Sequence, residues 1–397
     1  MKPKLLFILA LVVYVTSAGL VYTVNVMGNS SSGGQTSAPV TTQEEETSKL
    51  NTLLQIDPAQ PKDQVCPLNG AKYTQAEKDA WSKRRPLAIM IENSPDARPQ
   101  SGLSSADIVY EALAEGGITR FMALYYCGVQ AVDTTVAPVR SARSYFVDWA
   151  SGYNYPLYVH VGGANLPGPA DALGQISQYG WGLQNDLNQF SIGYPTFVRN
   201  ANRLGREVAT EHTMESTTEK LWAVAAKRGW TNMSPDRKLG KKVIAGTDWL
   251  EDFTQWEFAD GQKATEIKPN ISYEFWDGYD QFAVSWSYDS TTNTYKRSMA
   301  GEAHIDHNNQ TQLAASNVII LFTDEKGPID ELKHMLYRTT GMGDVLIFQN
   351  GGVVKAKWSK KDRESQLLIL DVRGKAVPLA RGLTWISVLD TGTAVTY

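Results

Sequence analysis

Residues 108–126 have the sequence IVYEALAEGGITRFMALYY, which predicts two β-strands joined by a tight turn. Apolar residues dominate both arms, and the pair Gly116-Gly117 separates them. Glycine tolerates the positive φ angles that a two-residue hairpin turn requires. If these glycines form the turn, Glu115 pairs with Ile118 and Leu113 pairs with Arg120.

This pairing places charged residues together. Arg120 is predicted to lie diagonally beside Glu111 and Glu115 on one face of the hairpin. One interpretation is a solvated cross-strand ion ladder, in which each pair is weak. The other is the edge of a binding site, where the acids fix the arginine and its remaining donors hold a ligand anion bidentately. The hairpin alone leaves both interpretations open.

Two further arginines follow in APVRSARSYF, residues 137–146. Arg140 and Arg143 stand just before a predicted helix, so their side chains and free backbone N–H groups would converge at a helix N-terminus. Such a terminus binds phosphate or carboxylate readily. The alternative is a pair of surface arginines neutralised by Asp148 or Glu92.

A predicted strand over Tyr155–Val161 carries His160 and precedes Gly162-Gly163, a pair that allows close approach of the backbone to a ligand. A lone histidine on a strand is also compatible with a satisfied core residue. The sequence identifies no catalytic residue and predicts no metal site. The complete candidate ligand-binding set is Arg98, Arg120, Arg140, Arg143, His160, Glu111 and Glu115.

The N-terminus predicts a membrane anchor. Lys2 and Lys4 precede an uncharged, mostly apolar run from Leu5 to Val24 that is long enough to span a bilayer as a helix. A cleaved signal peptide is the alternative. The flanking positive charges keep the short N-terminal end cytoplasmic and place the rest outside. We therefore expect a single-pass protein of the cytoplasmic membrane with an extracytoplasmic C-terminal part.

The chain divides into four predicted segments. Residues 1–27 form the cytoplasmic stub and anchor, and residues 28–65, rich in Ser, Gly, Thr, Gln and Glu, form a disordered tether. Residues 66–238 alternate short apolar runs with polar loops and predict an N-terminal α/β-type sheet domain with helices. Residues 239–397 predict a mainly-β C-terminal domain. The predicted fold class is α+β.

Specific elements can be placed within these domains. Short strands and turn residues in the second half favour a β-sandwich or open barrel. A capping-box pattern at Ser216 and Glu219 predicts the start of one helix. The other predicted helices are Thr74–Lys83 and Ser144–Ser151, and the predicted strands are Leu87–Ile91, Ile108–Ala114, Ile118–Tyr126, Tyr155–Val161, Pro195–Val198, Ile271–Phe275, Gln281–Ser287, Thr294–Arg297, Ser316–Phe322, Asp344–Phe348, Val353–Trp358, Leu367–Leu370 and Thr384–Val388.

Composition and motifs limit the classes of ligand and chemistry that this protein is expected to have. The net charge of −4 gives no reason to expect nucleic-acid binding. The chain has two cysteines, Cys66 and Cys127, and an exported protein meets an oxidising compartment, which favours a disulfide between them over two inert thiols. Motifs of the commonest hydrolases and nucleotidases are absent from the sequence.

Several long phrases resemble the YerB-like family of bacterial proteins. They are RPLAIMIEN, ARPQSGLSSADIVYEALAEGGITRFMAL, PVRSARSYFVDWA and YVHVGGA in the first half, and HID, NVIILF, KAKWSK and RGLTWISV in the second. The resemblance implies a two-part domain of unknown function at the outer face of the cytoplasmic membrane. It carries over no catalytic residues. Family members described as lipoproteins have a lipobox cysteine, whereas no cysteine stands within or directly after the apolar run here.

A shorter set of motifs is similar to the LytR-CpsA-Psr phosphotransferases. The order is MIEN, an arginine, an Ala-Asp step, Pro-x-Arg-x-x-Arg and His-x-Gly-Gly. Those enzymes hold a polyprenyl-pyrophosphate with arginines and attach glycopolymers to the wall. The likeness implies that the four arginines bind pyrophosphate, with Glu92 or Asp107 assisting Mg²⁺.

The function predicted from the sequence is non-catalytic binding of an anionic wall component, a lipid-linked ligand or an envelope protein through the arginine site, without a cofactor. Two alternatives remain at this stage. One is a phosphotransferase that uses Mg²⁺, and the other is a purely structural partner of an envelope complex.

Overall fold

The computed structural model describes residues 53–239, 241–251 and 253–397. The predicted anchor and the first part of the predicted tether lie outside the described residues. Within the described ranges, no helix is long and apolar enough to span a bilayer. Residues 53–65 of the predicted tether are attached to the folded protein, because they include a strand at Gln64–Val65 and a hydrogen bond from the Leu53 amide to the Ala131 carbonyl.

Short elements build the described part of the chain. The α-helices are α1 Gln75–Trp81, α2 Ser144–Ser151, α3 Ala172–Gln178, α4 Gln189–Ile192 and α5 Thr218–Lys227. The strands of the first half are β1 Gln64–Val65, β2 Lys72–Tyr73, β3 Leu87–Glu92, β4 Ile108–Glu115, β5 Ile118–Tyr125, β6 Thr135–Val136, β7 Leu157–His160, β8 Asp186–Asn188, β9 Val198–Arg199, β10 Met214–Thr217, β11 Arg237–Leu239 and β12 Lys242–Ile244. Those of the second half are β13 Phe258–Ala259, β14 Asn270–Tyr273, β15 Val284–Asp289, β16 Thr294–Met299, β17 Glu302–Ala303, β18 Ala314–Ala315, β19 Asn317–Thr323, β20 Glu325–Lys326, β21 Leu336–Tyr337, β22 Gly341–Gln349, β23 Gly352–Lys360, β24 Leu368–Leu370, β25 Leu379–Ala380, β26 Thr384–Asp390 and β27 Val395–Thr396.

Local signals account for the helix ends. Helix α1 begins with a capping box, in which Thr74 accepts from the Glu77 amide and the Glu77 side chain accepts from the Thr74 amide. The N-cap of helix α5 lies one residue later than predicted, because Thr217 accepts from the Lys220 amide. The Ser216 hydroxyl instead donates to the Thr196 carbonyl. The predicted capping box at Ser216 is therefore wrong, although the helix itself is confirmed.

The largest sheet takes strands from both halves of the chain. Its ten strands have the order β24-β23-β22-β19-β26-β4-β5-β3-β7-β8, so five come from each half. The halves meet where β26 pairs in parallel with β4, from Thr384 opposite Ile108 to Ser387 opposite Glu111. Strand β3 is buried along its whole length, which explains its unbroken apolar sequence LAIMIE up to the final acid.

The second half does not close a sandwich or barrel of its own, so that expectation is corrected. Five of its strands join the ten-stranded sheet, and a smaller sheet has the order β17-β16-β15-β14-β27, with β18 paired to β16. The smaller sheet packs on one face of the large sheet, where Trp286 meets Trp385 with ring centroids 5.5 Å apart. Helix α2 packs on the opposite face, where Trp149 stacks on Tyr110 at 5.8 Å.

The predicted hairpin is confirmed at its turn. Gly116 and Gly117 have φ angles of 56° and 84°, and Glu115 pairs with Ile118. A Cβ atom at Gly117 would lie 2.1 Å from the ring of Tyr279 in the second half. The turn therefore needs glycine both for its backbone conformation and for its packing.

The predicted disulfide between Cys66 and Cys127 is present, and it closes a loop across a sequence separation of 61. Asp107 supports the same region from a buried position. Its carboxylate accepts from the amides of Tyr126 and Cys127 at 2.6 and 3.0 Å and from the Asn69 side chain at 2.5 Å. Burial raises the pKa of Asp107 to about 7 despite these hydrogen bonds.

We expect the Cys66→Ser/Cys127→Ser variant to be less stable than the oxidised wild type by about 4 kcal/mol, the chain-entropy value for a loop of this length. Urea unfolding followed by circular dichroism measures the difference. Wild-type protein reduced in denaturant and refolded with reductant is the control, and it should unfold at the same urea concentration as the variant. An unchanged midpoint in both would contradict a stabilising role for this bond.

Candidate functional site

A β-bulge in the hairpin decides which face of the sheet each acid occupies. The register shifts between Leu113 and Glu115, so that Ala112 pairs with Arg120 in place of Leu113. Side chains alternate between faces along a strand, and the extra residue reverses this alternation. Glu115 therefore shares a face with Arg120, whereas Glu111 lies on the opposite face. The predicted flanking of Arg120 by both acids is correct for Glu115 and wrong for Glu111.

Glu115 binds two arginines at once. Its Oε1 accepts from Arg120 Nη2 at 2.6 Å, and its Oε2 accepts from Arg143 Nε and Nη2 at 3.0 and 2.6 Å. The same arginines donate to the carbonyls of Ser141 and Ala142. Burial favours the neutral carboxyl, but the two guanidiniums outweigh it and lower the pKa of Glu115 to about 2. Arg120 and Arg143 are therefore largely satisfied within the protein.

Arg140 is held more loosely. Its Nε lies 3.3 Å from Glu92 Oε2 without hydrogen-bond geometry, and its side chain is 25% exposed. Glu92 itself also bonds His212 Nδ1 at 2.9 Å and the Ser94 hydroxyl at 3.2 Å. Neither Nη atom of Arg140 donates to any residue that the structure describes. Arg140 is thus the cation of this group whose terminal donors remain available.

The backbone fixes Arg140 between two parallel strands. The Arg140 amide donates to the Met90 carbonyl at 2.8 Å, and its carbonyl accepts from the Val161 amide at 3.0 Å. Two residues further along the chain, the Ala142 amide donates to the Gly162 carbonyl. The segment 138–142 therefore fills the gap where the carboxyl ends of β3 and β7 separate. We call Glu92, Glu115, Arg120, Arg140 and Arg143 the edge cluster.

His160 lies near this edge but is engaged internally. It is buried, with Nδ1 2.6 Å from the Gly162 carbonyl and Nε2 2.6 Å from Asp186 Oδ1. Both neighbours are acceptor oxygens, so both hydrogen bonds form together when the ring carries two protons. The ring orders the Gly162 turn and has no remaining nitrogen for a ligand.

Arg98 and Glu111 do not belong to the edge cluster, which corrects their predicted place in one site. Arg98 donates to the Asn93 carbonyl and to the Gln281 carbonyl at 2.8 Å, and it stacks on Phe282 at 4.9 Å. Burial lowers the pKa of Arg98 to about 10. These contacts join the two halves of the chain on the face covered by the smaller sheet.

Glu111 forms a buried ion pair with Arg297, a residue that the sequence gave no reason to select. Glu111 Oε2 accepts from Arg297 Nη2 at 2.7 Å and from Trp385 Nε1 at 3.1 Å, and both charged side chains have 0% exposure. The Arg297 guanidinium lies 4.7 Å from the Trp385 ring. Glu111 stands on β4 and Arg297 on β16, so the pair crosses between the sheets. We call Glu111 and Arg297 the core pair.

The motif HID, residues 304–306, extends this contact. His304 Nδ1 accepts from Arg297, which requires its Nε2 to carry the proton and donate to Gln100 Oε1 at 2.7 Å. Burial and then the charge of Arg297 hold the pKa of His304 well below its usual value. Asp306 accepts from the amides of Gly102 and Ser104 at 3.0 and 2.8 Å. The motif therefore attaches the second half to the loop before β4.

The acids proposed for a divalent cation do not meet. Glu92 ends β3, and Asp107 precedes β4, which runs parallel to β3 two strands away, so the acids stand at opposite ends of the sheet. Among the described residues, the cluster with metal-ligand spacing consists of Cys66, Asp107 and Cys127, and its cysteines form the disulfide.

Comparisons with known proteins match both halves. Residues 73–231 match the N-terminal domain and residues 271–386 the C-terminal domain of a family described as "Protein of unknown function (DUF3048)". The chain is 29% identical to "Putative lipoprotein YerB" of Bacillus subtilis strain 168 over 332 residues, 81% of this chain and 85% of that protein. The crystal structure of YerB from Bacillus subtilis matches with a TM-score of 0.65 and 27% identity, covering 84% of this chain and 100% of that chain. This chain belongs to the YerB-like family.

The two family domains correspond to the two contributions to the large sheet. In this YerB-like protein the core pair takes one residue from each, because Glu111 lies within 73–231 and Arg297 within 271–386. The edge cluster lies wholly within the N-terminal family domain. The interface and the candidate site are thus on opposite faces of one strand, β4.

We expect Arg297→Met to destabilise this YerB-like protein by about 3–5 kcal/mol, because Glu111 would remain buried without its partner. The double variant Glu111→Leu/Arg297→Met should recover most of that loss. Urea unfolding of both variants measures the coupling. The matched control is the exposed pair Lys357 and Asp344, at 2.6 Å against 2.7 Å for the core pair, where Lys357→Met should cost less than about 1 kcal/mol. Equal losses at the two sites would contradict the assigned role of the core pair.

A second expectation concerns pH. Because the pKa of Glu115 is depressed from 4.5 to about 2, its ionised form stabilises the fold above pH 4.5, and this contribution is lost as the pH falls toward 2. Glu115→Gln should cost roughly 2–3 kcal/mol at pH 7 and much less near pH 2. Unfolding curves across this range test it. Glu302→Gln, at an exposed glutamate, should leave the free energy of unfolding unchanged both at pH 7 and near pH 2. A loss in Glu115→Gln that does not depend on pH would contradict the role assigned to the Glu115 carboxylate.

Proposed function

We propose that this YerB-like protein is an extracytoplasmic, membrane-anchored protein that binds an anionic component of the cell envelope at Arg140. Two observations support the location. The relative from Bacillus subtilis carries the name of a lipoprotein. In this chain the apolar run Leu5–Val24 has the length of a membrane span, so a single-pass helix takes the place of a lipid anchor in the proposal.

The availability of Arg140 carries the proposal for binding. Its two Nη atoms have no partner among the described residues, and its side chain reaches solvent at the carboxyl ends of β3 and β7. A guanidinium with two available terminal nitrogens suits the bidentate recognition of phosphate or carboxylate.

The arginines of the edge cluster outnumber its acids. The edge cluster itself contains three guanidiniums and two carboxylates, which leaves one net positive charge, and the exposed Glu211 carboxylate interacts with Arg140 from outside the cluster. Arg120 and Arg143 are held in place by Glu115. They therefore contribute positive charge at fixed positions and do not contact the anion directly. The positive end of the α2 dipole adds to this field, because Arg143 is its N-cap residue. The four-arginine site expected from the sequence thus reduces to one contacting arginine with two supporting ones.

We expect full-length protein in detergent to bind inorganic pyrophosphate at low ionic strength, and Arg140→Ala to weaken binding about ten- to a hundredfold, the value of a charge-assisted hydrogen-bonded contact. Isothermal titration calorimetry measures both affinities. Added salt should weaken the wild-type binding, since part of the attraction is screened.

Arg373→Ala is the matched control, because it removes the same charge from an exposed turn of the second half. It should bind pyrophosphate as the wild type does. Equal affinity in the wild type and in Arg140→Ala would remove the basis for an anion site and favour a purely structural role in the envelope. Release of phosphate from the probe would instead favour the phosphotransferase alternative.

A further inference from the structure

His212 is a second polar group beside Arg140 that has an unused nitrogen. Its Nδ1 lies 2.9 Å from Glu92 Oε2, the same oxygen that Arg140 Nε approaches to 3.3 Å. The imidazole and the guanidinium therefore flank one carboxylate oxygen. The exposed Glu211 carboxylate interacts electrostatically with both residues, which agrees with their lying side by side.

The backbone holds His212 next to Arg140. His212 ends a 3₁₀ turn that begins at Thr210. Two residues further along the chain, the Met214 carbonyl accepts from the Val139 amide at 2.8 Å. Because Val139 directly precedes Arg140, this hydrogen bond joins the two segments. Both side chains therefore start from fixed positions before any ligand binds.

The two ring nitrogens of His212 have different roles. A carboxylate only accepts hydrogen bonds, so Nδ1 carries a proton and donates it to Glu92. Nε2 has no hydrogen-bond partner among the described residues, although His212 is only 9% exposed. This nitrogen is in contact with solvent. Nε2 can therefore gain or lose a proton, or meet a ligand, while Nδ1 keeps its bond to Glu92.

The available nitrogens of the two residues favour one class of anion. The Arg140 guanidinium has two available terminal nitrogens, which suit bidentate pairing with two oxygens. A carboxylate has both of its oxygens engaged in such a pairing and would have to share one of them with His212. A phosphoryl group at the end of a molecule has three free oxygens, so one remains for the imidazole. Arg140 and His212 together thus fit a terminal phosphoryl group better than a carboxylate.

The proton chemistry of histidine favours the same class. A phosphate monoester loses its second proton at about pH 6, within the range where histidine ordinarily changes its charge. An imidazolium can donate to the dianion, or a neutral imidazole can accept from the monoanion, and either arrangement holds one proton between Nε2 and the phosphoryl oxygen. Carboxylic acids are ionised throughout this range, so they allow only the first arrangement.

We propose that the anion bound at Arg140 is a terminal phosphoryl group, with two oxygens on the Arg140 guanidinium and the third hydrogen-bonded to His212 Nε2. The inference rests on the anion site proposed above. It adds a second binding residue, a ligand class and a dependence of affinity on pH. Because the bound state holds a proton at Nε2, the affinity falls as the pH rises and this proton is lost.

The other charged groups near His212 belong to residue types that do not titrate in this range. Glu92 on β3 and Glu211 in the same turn are the acids, and Arg140 is the adjacent cation. Further out, Arg120 and Arg203 interact with Glu92, and Arg199 interacts with Glu211. Arginine and carboxylate side chains ordinarily titrate outside pH 5 to 8. A change of affinity in this range therefore reports on His212 and on the ligand.

The first test compares glucose 1-phosphate with glucuronate, which carry a phosphoryl group or a carboxylate on a glucose frame. Isothermal titration calorimetry of the full-length protein in detergent gives the dissociation constants at pH 6 and pH 8.5. Glucose 1-phosphate should bind about tenfold more tightly than glucuronate at pH 6, and its affinity should fall about tenfold by pH 8.5. Dihexanoyl phosphatidic acid carries the phosphoryl group on a lipid. Tighter binding of this probe than of glucose 1-phosphate would assign a lipid headgroup as the source, and the reverse would assign a phosphorylated sugar.

The second test uses His212→Asn, because the shorter amide can keep the bond to Glu92 while nothing replaces Nε2. This variant should bind glucose 1-phosphate about tenfold more weakly than the wild type at pH 6 and within about twofold of it at pH 8.5. His212→Gln returns a neutral donor to the position of Nε2. It should recover part of the affinity at pH 6 without the fall at pH 8.5.

His307→Asn is the matched control, because the His307 side chain forms no hydrogen bond or ion pair with a described residue, and it should bind as the wild type does. Thermal unfolding checks that each variant is folded, and His212→Gln carries the pH comparison if His212→Asn is not. Weaker binding in Arg140→Ala with unchanged affinity in the His212 variants at both pH values overturns this inference but keeps the anion site. Equal affinity for glucose 1-phosphate and glucuronate also overturns it. Equal affinity in the wild type and in Arg140→Ala removes the anion site itself.

Discussion

The ion pair between Glu111 and Arg297 is the contact on which the joining of the two halves depends. Both charges have lost their hydration, and such a pair is stable only with good geometry and further hydrogen bonds. Here the further bonds come from both halves, because Thr119 of the first half and Trp385 of the second half both donate to Glu111. The ring of Trp286 packs 5.6 Å from the same guanidinium. Either half alone would lack the counter-ion of its charge, so the two halves form this core together.

The β-bulge between Leu113 and Glu115 places a second acid on the opposite face of the sheet from the core pair. Without the extra residue, Glu115 would point to the same side as Glu111, into the interface with the smaller sheet. Arg120 and Arg143 would then be buried on the α2 face without the carboxylate that now binds both. One inserted residue thus supplies each face of β4 with an acid. The acid toward the small sheet serves assembly, and the acid toward α2 serves the candidate site.

Local sequence signals predicted most of the strands and helix α2, because alternation and turn residues act within a few positions. The glycine pair also predicted the contact of Glu115 with Ile118. The predicted pairing of Leu113 with Arg120 failed because of the β-bulge. The bulge is stabilised by residues far along the chain: Glu115 forms an isolated β-bridge with His334, and the Gly116 amide donates to the Lys333 carbonyl. The partner of Glu111 was missed for the same reason, since Arg297 is 186 positions away and its strand gives no sign of a buried charge. Likewise, the sequence predicted the C-terminal strands but not that five of them join the sheet of the first half.

The edge cluster differs from the core pair in what a ligand would have to displace. An anion that approaches Arg140 competes with Glu92, not with Glu115. Glu92 keeps two other partners, His212 at 2.9 Å and Ser94 at 3.2 Å, so the loss of its contact with Arg140 would not leave a buried carboxylate unpaired. Displacing Glu115 would instead release two buried guanidiniums at once. The energetic cost of ligand binding is therefore low at Arg140 and high at its neighbours, which makes Arg140 the position where this rigid edge can exchange an internal partner for an external one.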